Sequence, residues 1–90
     1  MTEHRESVRR HALFRLWERF GIEITDDEYD RISAYVATRL CRPDGFSVKG
    51  KPVFRVEIDG VEAYAGWHDD VLAVGTFHQG DACRLNRKKS

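Results

Sequence analysis

Val53-Phe54-Arg55-Val56-Glu57-Ile58 and Val61-Glu62-Ala63-Tyr64-Ala65-Gly66-Trp67, joined by Asp59-Gly60, decide the fold of this 90-residue chain. Both runs alternate apolar and polar residues, as half-buried strands do, and Asp-Gly is a favoured pair for a two-residue type I′ hairpin turn. That turn sets the register. Ile58 faces Val61, Val56 faces Ala63, Phe54 faces Ala65, and Pro52 comes near Trp67, so the apolar pairs share one face. The opposite face carries Arg55 across from Tyr64 and Glu57 across from Glu62, a polar surface. Pro52 suits only the beginning of a strand.

Outward from the hairpin, His68-Asp69-Asp70 supplies the next turn and Val71 to Phe77 a third strand. A two-residue turn points Leu72, Val74 and Thr76 inward; a three-residue turn points Val71, Ala73 and Phe77 inward. The first is favoured, because Leu72 and Val74 are larger than Ala73 and Gly75. Cys83 to Leu85 can add a short edge strand and Phe46 to Val48 another. The basic tail Asn86-Arg87-Lys88-Lys89-Ser90 is expected to fray.

The first half of the chain has helical period. From Glu3 to Phe20 there is no Gly or Pro, and Val8, Ala12, Leu13, Leu16, Trp17 and Phe20 share one broad face. Gly21 follows where a left-handed residue closes a helix. Thr25 and Glu28 form a capping box for a second helix to Leu40, with Asp26 and Asp27 favourably placed in its first turn. Tyr29, Ile32, Val36 and Leu40 mark its buried stripe, and Pro43-Asp44-Gly45 ends it. The fold class is therefore α+β: two N-terminal helices packed on one face of an antiparallel meander of three to four strands, one domain over residues 1–90. The inward set is Leu13, Leu16, Trp17, Ile32, Val36, Phe54, Val56, Ile58, Ala63 and Ala65.

Composition narrows the functional classes. Fifteen basic residues balance fifteen acidic ones, so net charge points to no partner and only local clustering can. Cys41 and Cys83 give neither a disulfide framework nor metal-site spacing, and no apolar run approaches the roughly 18–20 residues of a membrane span. The charged N-terminal residues carry no secretory signal, so a cytoplasmic setting with reduced thiols is expected.

Two constellations carry possible chemistry. His11, Arg15 and Arg19 recur at i, i+4 along one line of the first helix, at the border of its apolar face. Like charges at that spacing weaken a helix, and such a line suits a phosphate or a partner's carboxylates. The plainer reading is a solvated flank paired with acids such as Asp26 or Asp27. Thr76 and His78 project from the same side of a strand end, where an imidazole can act as acid or base near neutral pH. No metal or cofactor is expected: His68-Asp69-Asp70 is too compact for a common site, there is no phosphate loop, and Cys41 sits at a helix C-terminus that opposes a thiolate.

The stretch from Arg10 through Ile22, RHALFRLWERFGI, followed by Thr25-Asp26-Asp27-Glu28-Tyr29, resembles the opening of small phage and toxin-associated domains. Those domains are grouped with the barnase, colicin and RelE-like ribonucleases. Val74-Gly75-Thr76-Phe77 is similar to the Thr-containing last strand of that group. The resemblance implies N-terminal helices leading into an antiparallel meander and metal-independent RNA cleavage. It also implies His11, Arg15, Arg55, Thr76 and His78 as active-site positions, the histidines and Thr76 for catalysis and the arginines for phosphate. A second reading stays open beside it: a non-enzymatic inhibitor or binding module that docks on a host protein through Arg55, Tyr64, Trp67 and neighbouring charges. Whether His11 and His78 converge separates the two.

Overall fold

The computed structural model describes residues 2–85, and the basic tail at 86–90 lies outside them. Its elements run α1 (Thr2–Phe20), α2 (Asp26–Ala37), β1 (Gly45–Ser47), β2 (Pro52–Ile58), β3 (Val61–His68), β4 (Ala73–His78) and β5 (Cys83–Leu85). The five strands form one antiparallel sheet in the order β4-β3-β2-β1-β5. The chain is an α+β fold with both helices packed against the sheet, chiefly at β4. None of the described helices is long and apolar enough to cross a membrane.

The hairpin forms as its turn dictates. Asp59 and Gly60 have φ of +52° and +77°, the paired positive values of a type I′ turn, which Gly60 adopts without a Cβ penalty. Ile58 pairs with Val61, Val56 with Ala63, and Phe54 with Ala65. Phe54, Val56, Ile58, Ala63 and Ala65 are buried in the main core with Ala12, Leu16, Tyr29, Val36, Val74 and Phe77, and Leu13 and Ile32 pack against it. The two short segments proposed as strands, near Phe46 and at Cys83–Leu85, pair with each other as β1 and β5. Pro52 stands opposite Phe46 of β1 at the start of its strand, the β2–β3 pairing runs as far as Val53 with Gly66, and Pro52 and Trp67 line the same groove.

An irregular register between β3 and β4 corrects the third strand. Gly66 pairs with Thr76 but Trp67 pairs with Val74, so Gly75 is the extra residue of a β-bulge. The bulge lets Val74 and Phe77, three residues apart, both enter the core, with Val71 and Ala73 also buried. Leu72, expected inward, is 67% exposed at φ +54°. Thr76, also expected inward, pairs with Gly66 on the opposite face from Phe77.

Three further expectations change for physical reasons. Trp17 is 53% exposed: α1 buries the narrow line Val8, Ala12 and Leu16, and a step of about 100° per residue carries Trp17 past its edge. There its ring lies beside that of Phe14, at a centroid separation of 6.3 Å. Leu40 falls beyond the end of α2 and is exposed. Tyr64, placed by alternation on a polar surface, is buried. After β4 the chain crosses the sheet from one edge to the other through a 3₁₀ turn at Gly80–Ala82, and Gly80 lies directly on the Tyr64 ring.

The capping box forms in full: Glu28 N–H donates to Thr25 Oγ1 at 3.1 Å, and Thr25 N–H donates to Glu28 Oε1 at 2.9 Å. Gly21 takes φ +68° at the end of α1. Both helices then complete the free edge of the sheet. Arg5 Nη1 donates to Val71 O at 3.2 Å and Arg19 Nη1 to Phe77 O at 2.8 Å. From α2, Tyr29 Oη donates to Val74 O, and Val74 N–H donates to Ser33 Oγ at 3.1 Å. An edge strand offers unpaired backbone groups to other chains; here side chains of two helices occupy them.

Candidate functional site

Because α1 lies along the β4 edge, the flank that carries His11, Arg15 and Arg19 turns toward the side of the sheet that the core does not use. A groove of about 900 Å³ opens there. His11, Arg15 and Arg19 line it from α1, Lys49 and Lys51 from the turn between β1 and β2, and Gly66, Trp67, His68, Thr76 and His78 from β3 and β4. No aspartate or glutamate is among the described residues that line it. In a chain of balanced charge, the fold has segregated cations into one concavity.

The floor depends on a missing side chain. A Cβ on Gly66 would come within 3.0 Å of Thr76 Cγ2 and 3.4 Å of His78 Nε2. Glycine at this position lets Thr76 and the His78 ring settle over the sheet, next to each other. Their common orientation was legible from their spacing; the glycine beneath them was not.

The cations differ in how free they are. Arg15 is held by Glu18 at 2.7 Å, which offsets part of its charge. Arg19 is held by the Phe77 carbonyl, and the Gln79 side-chain amide donates to Arg19 O at 2.9 Å. The expected pairing of these arginines with Asp26 or Asp27 does not occur; Arg9 faces Asp26 instead, at 3.6 Å. Lys49 and Lys51 are exposed and make no side-chain hydrogen bond or ion pair among the described residues. They flank Gly50, which has φ +83°, so the tip of this hairpin presents two cations side by side.

Burial pushes the His78 imidazole pKa down, and the Arg19 charge beside it pushes the same way. His78 is thus favoured neutral, able to accept a proton. The linkage has a definite sign. With its folded pKa below the ordinary 6.5, the unfolded chain takes the proton first. The resulting stability is fully present above pH 6.5 and is lost as pH falls through the folded value. The wild type should therefore lose melting temperature below pH 6.5 more steeply than His78→Gln, measured in matched buffers. Parallel curves for the two proteins would show that His78 carries no such penalty.

Of the remaining sequence candidates, Trp67 also lines the groove, with its indole Nε1 buried and without a hydrogen-bond partner. Arg55 does not. It is exposed, held by Glu62 at 2.8 Å, and borders a separate depression with Arg31, Tyr35 and Glu57. Tyr64 lies under the crossover. The docking set Arg55, Tyr64 and Trp67 is therefore divided, whereas His11, Arg15, Arg19, Thr76 and His78 are brought to one place. Neither cysteine joins them: Cys41 is exposed elsewhere, and burial raises the pKa of the Cys83 thiol, whose Sγ lies 3.6 Å from Gln79 O. Sequence reading missed Lys49 and Lys51, although a glycine between two lysines at a hairpin tip is a usable signal. No protein-family model matches the chain, and no curated protein or solved structure is significantly similar to it.

Proposed function

We propose that the groove binds single-stranded RNA and that the domain cleaves it without a metal ion, as a small ribonuclease of phage or toxin type. The observation that carries this reading is the gathering of His11, His78, Thr76 and four cationic side chains in one groove with no carboxylate in its lining. Phosphodiester cleavage by the RNA's own 2′-hydroxyl needs a base, an acid, and positive charge on the phosphate. His78, favoured neutral, takes the 2′-hydroxyl proton. The 2′-oxygen attacks phosphorus, the bond to the 5′-oxygen breaks, and His11 returns a proton to that leaving oxygen. The products are a 2′,3′-cyclic phosphate and a 5′-hydroxyl. Arg15, Lys49 and Lys51 hold the phosphates, Thr76 offers a hydroxyl beside His78, and the Trp67 ring suits contact with an unstacked base. The likeness of the α1 stretch to the barnase and RelE-like group supports the same chemistry.

An inhibitor that docks on a host protein draws less support, since Arg55 is engaged by Glu62 and Tyr64 is covered. Binding of a short single-stranded RNA, followed by fluorescence anisotropy in chelator across a salt series, tests the reading. Each phosphate contact on a single strand contributes a slope of roughly 0.7 in log K against log salt. The Lys49→Ala/Lys51→Ala variant should bind more weakly, with a slope shallower by about 1.4. Wild-type affinity and slope in that variant would remove the groove as the binding site.

A further inference from the structure

Beside the groove, which His68 also lines, the first helical turn meets the turn between β3 and β4. His4, His68 and Asp70 each offer one ligand atom there, and the three atoms lie within 4.8 Å of one another. His68-Asp69-Asp70 alone is too compact to hold an ion; the structure adds His4, 64 positions away from His68, which no local spacing could reveal. The His4 and His68 rings stand edge to face with centroids 5.6 Å apart. No described residue hydrogen-bonds to any of the three side chains.

We propose that His4, His68 and Asp70 form a site for a borderline divalent transition ion of the zinc class. Three features carry it beyond proximity. Two imidazoles and one carboxylate are a donor set suited to zinc-like ions, whereas magnesium and calcium favour all-oxygen sites. The Nδ1 atom of His68 is buried and has no hydrogen-bond partner, an arrangement that costs stability unless a bond is supplied. The site is also held together by the protein itself, since Arg5, next to His4, donates to Val71 O, next to Asp70. A tetrahedral ion with bonds of about 2.0–2.1 Å keeps its ligands about 3.3–3.5 Å apart. His4 and Asp70 are exposed and can close that remaining distance by side-chain rotation. The Arg5 guanidinium opposes a cation here, and the carboxylates of Asp69 and Asp70 offset it.

The three ligands leave a coordination position for water, as zinc sites with three protein ligands do. The bound ion would fasten the start of α1 to the β3–β4 turn. This inference goes beyond the RNA reading and shares no residue with the proposed acid and base, so either can fail alone.

The test uses the full chain without a histidine tag, and the metals alone. One equivalent of cobalt(II) should give the intense visible absorption of a low-coordinate ion, which zinc(II) abolishes by displacement. Zinc(II) should raise the wild-type melting temperature. His4→Ala and Asp70→Asn, both at exposed positions, should keep the apo melting temperature and each weaken cobalt binding by at least about tenfold, the smaller end of what even an outer partner's loss costs. A spectrum of the hydrated ion only, or unchanged affinity in both variants, would overturn the site.

Discussion

His78→Ala and His11→Ala are each expected to lower the rate of RNA cleavage by at least about 100-fold, the lower scale of general acid–base catalysis. Both imidazoles face the same groove, and each half of the proton transfer would lose its group. RNA binding should change far less, because Arg15, Lys49 and Lys51 remain. That division separates catalysis from positioning: a residue that merely shapes the groove would move affinity and rate together. His78→Gln and imidazole rescue refine the measurement. Added imidazole should restore part of the rate to His78→Ala if the missing group is a proton acceptor, and none if the loss is structural. The pH–rate profile supplies another check. The limb assigned to His78 should lie on the acid side of an ordinary histidine, since burial and Arg19 both favour its neutral form. Wild-type protein that cleaves no RNA in chelator, or variants that cleave at the wild-type rate, would discard the ribonuclease reading.

Residues that speak through local chemistry were legible in the sequence. Asp59-Gly60 fixed the hairpin register through its turn type, and Thr25 with Glu28 marked the start of α2 through reciprocal hydrogen bonds. The His11, Arg15 and Arg19 line was visible because helical spacing is local. The third strand was misread because its bulge at Gly75 breaks the period of two on which the inference depended. Tyr64 was misread because its cover comes from the crossover after β4, a tertiary event. The same limit hid the groove's second wall. Lys49 and Lys51 join His11 and His78 only through sheet topology, and His4 reaches Asp70 only because α1 runs along an edge strand. Half of each candidate site was thus readable as a motif, and the other half arrived by folding.

Tyr29→Ala should cost about 3–5 kcal/mol of folding stability, the range for truncating a buried aromatic. Tyr29 is fully buried, and its ring joins α2 to the core beneath β4. Against the roughly 5–15 kcal/mol that holds a typical domain together, that loss would leave a chain this small close to unfolded at ambient temperature. Tyr29→Phe separates packing from hydrogen bonding. It keeps the ring but leaves the Val74 carbonyl, to which Tyr29 Oη donates, without that donor in a buried setting, at about 1–3 kcal/mol. Ser33→Ala removes the acceptor for Val74 N–H and should cost a similar amount. Because Tyr29 and Ser33 both bond to the backbone of Val74, the double variant should fall short of the sum of the single losses. Urea titrations of the wild type and the four variants measure these values directly. A Tyr29→Phe variant as stable as wild type would mean that Val74 O finds another donor, and the clamp from α2 onto β4 would not be what holds this edge. If the clamp does hold it, amide exchange near Val74 should quicken in Tyr29→Phe before the hairpin amides change. Thr76 and His78 sit on the same strand as Val74, so the groove's geometry should loosen at that lower cost, ahead of global unfolding.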